Sequence, residues 1–494
     1  MYFIPIFLLA VFLFSGCLQT TGSEETPVLP ETPQNIQIKP GNERLIVSWD
    51  EAEGASSYEL VWDDGENELS KENAAARVVV DGLENGKPYS VKVRSKNSVG
   101  LSDFSSPEEG IPAIQGPTPS VIRGDSELSI GWDAETGVKY EVGYGTDSAA
   151  ASQWDGPIIG SGIVAGTTIT GLTNGTTYYV WIKITDKELL SEETIGTPAA
   201  PPEEVPPGFE YVSGGTVAGS DSYTMTVTVP SVAGYMNAGK TLTKKGVFVE
   251  GRTVSIDSFY MARYETTRKL WYEVQFWAES KGYSFQNRIA EPKESDENKP
   301  ISNINWRDAI VWCNAYSEKS GLEPVYYYQG NVLQNSRDAN GTACDAAVMD
   351  KSKNGFRLPT EAEREFAARG GDPGKADWMF IYSGSNDANE AAWHHGNSPY
   401  TVRDAGGKKP NRLGIYDLSG NVQEWGWDWM NYNIAVTADT DPDGKPYGSP
   451  YIQKTMAGGG VGSNITMSCV ADRWGYITSY KDQFIGFRVM RKAN

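Results

Sequence analysis

The sequence predicts a multidomain protein in which two all-β sandwiches precede one α+β domain. Three observations support this fold class. The chain has 494 residues, which is too long for one ordinary domain. A pattern of short β-like runs occurs twice, with equivalent residues Leu83 and Leu172 lying 89 residues apart. This period is the size of a sandwich module. Beyond residue 209, amphipathic helical patterns alternate with strand-like runs, as in α+β domains.

The charge of the chain narrows the range of its partners. Its 43 Lys and Arg residues against 64 Asp and Glu residues give a formal net charge of −21. This excess of negative charge disfavours binding to nucleic acid and to anionic membrane surfaces. The chain also has 15 Trp, 26 Tyr and 53 Gly residues, a composition typical of turn-rich β-proteins and of binding proteins.

The first segment of the chain predicts export. Residues 1–16 are apolar except for Ser15 and are followed by Cys17, and the run is too short to span a bilayer comfortably. The pattern resembles the signal peptide of a bacterial lipoprotein, although Phe14 replaces an aliphatic residue and no Lys or Arg precedes the run. An uncleaved anchor or a different start is the alternative.

The lipoprotein resemblance has consequences for the location of the protein. It implies that Cys17 carries the lipid and anchors the protein to a membrane of the bacterial cell envelope. The outer membrane or cell surface is favoured over the inner membrane. Residues 17–32 are polar and contain Pro, and we expect them to form a flexible tether.

Two β modules are predicted next, at residues 33–113 and 114–198. Leu83–Val93 and Leu172–Ile182 share Leu, Asn-Gly and Tyr at the same spacing. Both modules resemble fibronectin type III domains, the first more closely than the second. They contain no His and no Cys, so we interpret them as spacers, with direct adhesion as the alternative. The Pro-rich linker 199–208 predicts a semi-rigid hinge before the last domain.

Three segments of the last domain carry a family resemblance. They are Phe356–Gly371, Leu413–Asp428 and Ile485–Val489. In this order and spacing they resemble the signatures of formylglycine-generating enzymes, also called sulfatase-modifying factors, over residues 209–494. The resemblance implies an α+β domain of the C-type-lectin-like kind. Arg364 and Gln423 stand where Trp is common in that family.

The helices of this domain are predicted from their capping residues. Thr360 is followed three residues later by Glu363, which predicts a capping box, and Gly370 is expected to end the helix. Thr267 is expected to cap an earlier helix, and another is expected to start near Asn305. We therefore interpret the segment around Thr360 as architectural rather than catalytic.

A polar loop within Leu413–Asp428 is a candidate calcium site. Carboxylate and backbone oxygens around a conformationally free Gly suit Ca²⁺, whereas an acidic surface turn over a Trp-rich core is the alternative. The family resemblance implies a structural calcium ion, with Gly and Val contributing carbonyl oxygens. The residues implied are Asp417, Gly420, Val422 and Glu424.

The copper-dependent chemistry of the family lacks its ligands here. The resemblance implies two Cys, five and ten residues after the first Gly of a Gly-Gly-Ser-Tyr turn. Counting from Gly458 gives Ser463 and Ser468, and counting from the next residue gives Asn464 and Cys469. A hydroxyl cannot replace a thiolate as a Cu(I) ligand. We therefore expect no copper and no oxidase activity.

The other metal-binding residue types offer no second catalytic centre. Cys313, Cys344 and Cys469 lack motif spacing and are either buried thiols or one disulfide with a spare thiol. The only histidines are His394 and His395, and adjacent residues of a strand point in opposite directions. A multi-histidine iron site is therefore excluded.

The tract from Ala457 to Tyr480 predicts a ligand-binding surface. It is rich in Gly, Ser, Asn and aromatic residues, and rigid aromatic side chains provide contact area at a low entropic cost. Burial of its aromatic residues in the core is the alternative. Its position before the final Gly-Phe-Arg resembles the variable region of ligand-binding proteins diversified by retroelements. The candidate contact residues are Ser463, Asn464, Asp472, Arg473, Trp474, Tyr476 and Tyr480.

Three functions are therefore open. The first is a surface lipoprotein that displays a non-catalytic domain for a protein or glycan ligand. The second is a remote enzyme of the formylglycine-generating family that acts on a protein or a small molecule. The third is a scaffold of the cell envelope without a specific ligand. The absence of the copper ligands and the composition of the tract favour the first.

Overall fold

The chain forms two compact units that divide between residues 113 and 114. The computed structural model describes residues 28–41, 43–73, 76–113, 116–134, 138–148, 151–154, 158–159, 164–185, 189–229, 239–337, 341–431, 434, 439–440 and 452–493. The predicted signal segment and Cys17 lie outside these residues. Among the described residues, no helix has the length and apolarity needed to cross a membrane.

The first unit is a sandwich of two antiparallel sheets, ordered β1-β2-β5 and β4-β3-β6-β7. Alternate residues of β6 are buried, and Trp49 packs edge-on against Tyr58. The alternation of buried and more exposed residues along the strand agrees with the β-sandwich predicted for this module. The strands are β1 (Gln37–Gly41), β2 (Arg44–Ser48), β3 (Ser57–Asp63), β4 (Glu68–Asn73), β5 (Arg77–Asp81), β6 (Tyr89–Lys96) and β7 (Glu108–Gly110).

The second module repeats this arrangement within the second unit. Trp132 packs edge-on against Tyr140, as Trp49 does against Tyr58 in the first unit. One sheet has the order β11-β10-β14-β15, with β12 on β10 and β16 on β14. The strands are β8 (Ser120–Gly124), β9 (Glu127–Asp133), β10 (Lys139–Gly145), β11 (Gln153–Trp154), β12 (Ile158–Ile159), β13 (Val164–Thr170), β14 (Tyr178–Ile184), β15 (Leu189–Leu190) and β16 (Thr194–Gly196).

The last domain combines helices with small sheets, as predicted for an α+β fold. Its first strands are β17 (Phe209–Val212), β18 (Gly215–Ala218), β19 (Met225–Thr228), β20 (Thr241–Lys244), β21 (Thr253–Ile256) and β22 (Phe259–Ala262). They are followed by β23 (Tyr326–Tyr328), β24 (Asn331–Val332), β25 (Val348–Met349), β26 (Gln423–Trp429), β27 (Asp439–Thr440), β28 (Gln453–Ala457), β29 (Trp474–Ile477), β30 (Ile485–Phe487) and β31 (Met490–Lys492). The helices are α1 (Arg268–Glu279), α2 (Trp306–Lys319), α3 (Thr342–Asp345), α4 (Glu361–Ala368) and α5 (Ala388–Ala391).

The capping residues define the helices as predicted. Thr267 accepts a hydrogen bond from Leu270 N at the start of α1, and Asn305 accepts one from Asp308 N at the start of α2. At α4, Thr360 and Glu363 form the complete capping box. Each cap satisfies backbone N–H groups that have no partner within the helix.

The end of the chain closes the core of the last domain. Trp271 of α1 and Trp312 of α2 stack in parallel, with ring centroids 5.6 Å apart. Phe487 of β30 packs edge-on against both rings. In the adjacent sheet, of order β29-β28-β26-β30, β30 pairs directly with β26. The final Gly-Phe-Arg segment is therefore held between the two helices and the strand that follows the candidate calcium loop.

The second module and the last domain share one sheet. β8 pairs antiparallel with β18, so the sheet runs in the order β13-β9-β8-β18-β21-β27. The Asp133 carboxylate also accepts hydrogen bonds from the hydroxyls of Ser220 and Ser222, at 2.6 and 3.1 Å. The expected hinge at 199–208 is therefore wrong, because ladder hydrogen bonds between the flanking elements override the local Pro-rich pattern.

We predict that Gly215→Ala destabilises the second module and the last domain together. A Cβ at Gly215 would lie 2.4 Å from the carbonyl oxygen of Val121 in β8, so the two strands would have to move apart. The expected loss is about 2 kcal/mol. Hydrogen exchange should show β9 and β21 losing protection together, whereas the exposed control Thr226→Ala should change neither. Loss of protection in only one of the two strands would contradict the shared sheet.

Candidate ligand-binding site

The loop that precedes β26 is anchored by a buried ion pair. Arg488 is fully buried, and its guanidinium donates to Glu424 Oε1 from Nε and Nη2, at 3.1 and 2.8 Å. It also donates to the carbonyl oxygens of Ala262 and Tyr416, at 2.8 and 2.7 Å. One side chain near the end of the chain therefore fixes β22, the loop and β26 relative to one another.

A second buried carboxylate, Glu265, fixes the same loop from the other side. It accepts hydrogen bonds from Val422 N at 3.0 Å and from Asn421 Nδ2 at 2.7 Å. Asn421 itself has a left-handed backbone with φ of 59°, a conformation that Asn tolerates better than most residues. Sequence analysis missed the role of Glu265, although the residue lies two positions before the predicted cap Thr267.

Two carboxylate oxygens of the predicted calcium loop are buried without a hydrogen-bond partner among the described residues. One carboxylate oxygen of Asp417 accepts from Gly406 N at 2.6 Å. Its other oxygen and Glu424 Oε2 are buried without a hydrogen-bond partner among the described residues. Burial raises the pKa of Asp417 to about 6. Two such oxygens, with carbonyl oxygens from Gly420 and Val422, would suit Ca²⁺.

The predicted set contains only two carboxylates. Within the described part of the chain, no three or more His, Cys, Asp or Glu side chains are placed to hold a metal ion. The third nearby carboxylate, Glu265, is occupied by its hydrogen bonds to the loop. Calcium at this loop therefore stays a prediction that would depend on backbone oxygens.

Arg364 places a competing positive charge beside the loop. Its side chain is buried, donates to the carbonyl oxygen of Leu418, and holds Nε 4.0 Å from Glu424 Oε2. This residue stands where the family commonly has Trp. The guanidinium partly neutralises Glu424, so it weakens the attraction of the loop for a divalent cation.

We predict that a calcium chelator lowers the melting temperature of the last domain by a few degrees. A ligand that binds only the folded state stabilises it by about 2.7 kcal/mol at a hundred times its Kd. Differential scanning calorimetry with EDTA, and then with added Ca²⁺, measures the effect. Asp417→Asn should abolish the response, and Arg364→Gln should enlarge it. An identical melting temperature in both conditions would refute the site.

Neither possible register of the family's thiol positions contains a pair of Cys residues. The backbone oxygen of Ser463 accepts from His395 N at 3.1 Å, and Ser468 is buried. Burial raises the pKa of the Cys469 thiol to about 12, so the thiol is protonated at neutral pH and is a poor ligand for Cu(I). Cys313, Cys344 and Cys469 are all buried thiols that form no disulfide with one another, which answers the open question of a disulfide among them.

The predicted contact residues divide by burial. Trp474 is 40% exposed on β29, the edge strand of its sheet. Tyr476 stacks on Tyr480 with ring centroids 4.1 Å apart, and both pack partly against the core. Asn464 caps a short 3-10 turn by accepting from Thr466 N. Trp474 is therefore the large side chain of this set most available to a ligand.

Two of the predicted contact residues are structural instead. Asp472 is buried in an ion pair with Lys244. The Arg473 guanidinium makes two hydrogen bonds to the Glu361 carboxylate, at 2.7 and 2.8 Å. The expectation that Asp472 and Arg473 contact ligand is therefore wrong, because their charges are used to hold the start of β29 against β20 and α4.

A cleft of about 630 Å³ lies beyond the end of the predicted tract. Tyr400 is 64% exposed at its edge, and its ring centroid lies 5.8 Å from that of Phe484 and 4.6 Å from that of His395. The cleft is lined by Arg268, Ile289, Ala290, Glu291, Pro292, Lys293, Asp296, Lys299, Ile301, Ser302, Asn303, Tyr400, Thr401, Val402, Gln483 and Phe484. Its volume is in the usual range for a small-molecule site.

Two residues that line the cleft have unusual backbone conformations. Asn303 and Tyr400 both have positive φ, 60° and 53°. Each is held by a backbone hydrogen bond to the C-terminal tract, from Asn303 N to Asp482 O and from Tyr400 N to Val461 O. Such strain, which is greatest for a bulky residue, concentrates at functional sites. Sequence analysis missed Tyr400 and Phe484, and only the proximity of Phe484 to the tract could have indicated either.

A buried carboxylate on β26, Asp428, should make the stability of the domain depend on pH. Burial, with the nearby Glu361 carboxylate, raises the pKa of Asp428 to about 7. A raised pKa means that the folded state holds the proton longer than the unfolded state, so stability falls as pH rises from about 4 to 7. We predict that Asp428→Asn removes this penalty, on the order of 4 kcal/mol. Urea unfolding at pH 5 and pH 8 should show a larger gain at pH 8, and an equal gain at both would contradict the assignment.

Comparison with known proteins identifies the family of the last domain. The sequence profile of the sulfatase-modifying factor enzyme 1-like domain matches residues 216–493, which is more than half of the chain. The chain belongs to the sulfatase-modifying-factor family. The fibronectin type III profile matches residues 31–111, which confirms the predicted nature of the first module.

Curated relatives of this sulfatase-modifying-factor chain match it in part. It is 34% identical over 199 residues to the chaperone protein LppX of Paenibacillus barcinonensis, across 37% of this chain and 66% of that protein. It is 25% identical over 269 residues to the formylglycine-generating enzyme of Bos taurus, across 49% of this chain and 68% of that enzyme. The match to the first relative thus spans slightly less than two thirds of its length.

Solved structures also resemble the chain. Treponema denticola variable protein 1 shows 28% identity and a TM-score of 0.41, with coverage of 55% of this chain and 99% of that one. CarF shows 23% identity and a TM-score of 0.40, with coverage of 58% and 98%.

Proposed function

We propose that this protein is a lipoprotein of the bacterial cell envelope whose last domain binds a protein or glycan ligand without catalysis. The lipid on Cys17 would be its contact with the membrane, and the fibronectin-like modules would carry the domain away from it. Nucleic acid is not a partner in this proposal, given the net charge of −21.

The observation that carries the proposal is the exposed aromatic edge of the C-terminal tract. Trp474 lies on an edge strand with 40% of its surface exposed. Exposed, rigid Trp side chains are typical of binding hot spots. The chain that follows the tract contributes Gln483 and Phe484 to the lining of the cleft, so the protruding aromatic and part of the concavity lie close together in the sequence.

The chemistry of the tract supports binding over oxidation. Counted from Gly458, the family's two thiolate positions fall on Ser463 and Ser468; counted from Gly459, they fall on Asn464 and Cys469. Neither register supplies a pair of thiols, and a hydroxyl does not replace a thiolate as a Cu(I) ligand. The nearest thiol, Cys469, has its pKa raised to about 12 by burial. The domain keeps the scaffold of the family and lacks the groups that its oxidase chemistry requires.

We predict that Trp474→Ala weakens ligand binding at least tenfold without loss of the fold. Removal of an exposed Trp opens no cavity, and a central aromatic contact contributes about 2 kcal/mol or more to binding. Full-length protein, parent and variant, should be applied to glycan and protein arrays, with melting temperature as the test of folding.

The matched control is Trp154→Ala in the second module. Trp154 is 43% exposed, so it presents a similar aromatic surface outside the last domain, and its loss should leave binding unchanged. Equal effects of the two substitutions would move the site away from the tract. Array signals absent for the folded parent, together with turnover of a Cys-containing sulfatase peptide, would replace the binding function by an enzymatic one.

A further inference from the structure

We propose that the cleft beside Tyr400 binds an acidic sugar, a residue of a glycan that carries a carboxylate. This inference rests on the proposed binding function and specifies its site and its ligand class. Three features of the cleft support it: a cationic wall, an aromatic wall fixed by the backbone, and neutral amide groups in the same lining.

The cationic wall is formed by Arg268, Lys293 and Lys299. Two carboxylates, Glu291 and Asp296, share the lining, which leaves one excess positive charge in a protein whose net charge is −21. Asp296 already pairs with Lys299 at 2.6 Å and lies 4.0 Å from Arg268. Lys293 is exposed at the rim. The residues that line the cleft therefore carry a net positive charge, opposite in sign to the net charge of the whole protein.

The aromatic wall is formed by Tyr400 and Phe484. Their rings are tilted by 35°, with centroids 5.8 Å apart, and Tyr400 is 64% exposed. The apolar C–H face of a sugar ring packs well on such a surface, because the ring excludes water from one side of the ligand. The hydrogen bond from Tyr400 N to Val461 O, at 3.1 Å, holds the backbone in its left-handed conformation, so the platform exists before binding.

The polar part of the remaining lining suits hydroxyl groups. Asn303 and Gln483 contribute side-chain amides, each with donors and an acceptor. The lining comes from loops, a 3-10 turn and the first residue of α1, and no strand contributes to it. An extended peptide would therefore find no sheet edge with which to pair. A compact ligand with many hydroxyls and one carboxylate matches the lining better than an acidic peptide does.

The test is a calorimetric titration of the full-length protein with 3′-sialyllactose and trigalacturonate, each compared with its neutral counterpart, lactose and the trimethyl ester of trigalacturonate. At least one acidic probe should bind at least tenfold more tightly than its neutral counterpart, and its affinity should fall as NaCl rises from 50 to 300 mM. Tyr400→Asn should weaken binding at least tenfold, since Asn tolerates positive φ and removes the ring. Lys293→Gln should weaken it severalfold and reduce the dependence on salt.

Two control variants match these substitutions. Phe276→Ala removes an aromatic side chain that is 69% exposed on α1 outside the cleft, and Lys71→Gln removes an exposed cation of the first unit. Neither should change the affinity. All variants should retain the melting temperature of the parent within a few degrees.

The outcomes separate the ligand class from the binding function. Equal affinity for acidic and neutral probes overturns the assignment of an anionic ligand. Binding that survives Tyr400→Asn overturns the assignment of the binding site to the cleft. If neither acidic probe binds but acidic peptides on the protein array do, and Tyr400→Asn abolishes those signals, the sugar is wrong and the binding function stands. If no sugar and no array ligand binds, both the acidic-sugar assignment and the proposed binding function fail.

Discussion

The fold of the last domain depends on the guanidinium of Arg488. This buried cation joins β22, the loop before β26 and β26 itself through hydrogen bonds to Ala262, Tyr416 and Glu424. Loss of one partner of such a pair typically costs about 3 to 5 kcal/mol, because the other charge is left uncompensated. The arginine of the final Gly-Phe-Arg and the glutamate of the loop motif therefore keep each other in place, and this explains why the two segments occur together in one domain.

That constraint divides the domain into a fixed interior and an adaptable face. Asp472 and Arg473 lie within the tract from Ala457 to Tyr480, and their ion pairs with Lys244 and Glu361 attach the tract to the interior. After Arg473, the chain exposes Trp474 on an edge strand and then reaches Phe484, which lines the cleft. Side chains on this face are not needed by the buried ion pairs. The proposed binding function would use this face and leave the buried ion pairs of the scaffold unchanged.

The sequence predicted those structural elements that are specified by residues close together along the chain. Alternation predicted the first sandwich, and Thr360 with Glu363 predicted the start of α4, because both signals lie within a few residues. Arg473 was misplaced because its partner Glu361 is 112 residues away, and a charge in a Gly- and Ser-rich tract reads as solvent-exposed. The cleft was missed for the same reason, since Tyr400 and Phe484 meet only through the fold. The hinge expectation failed because pairing of β8 with β18 cannot be read from a Pro-rich stretch.

The central claim is that the last domain has the scaffold of the family without its oxidase chemistry. An anaerobic competition for Cu(I) between the full-length protein and a chromogenic chelator tests this claim most directly. The account predicts that the protein removes no copper from the chelator at neutral pH, because Ser463 and Ser468 offer no thiolate and the Cys469 thiol is buried with a raised pKa. Removal of one equivalent of Cu(I) per chain, abolished by Cys469→Ser, would contradict it and would restore the copper enzyme as the function of this domain.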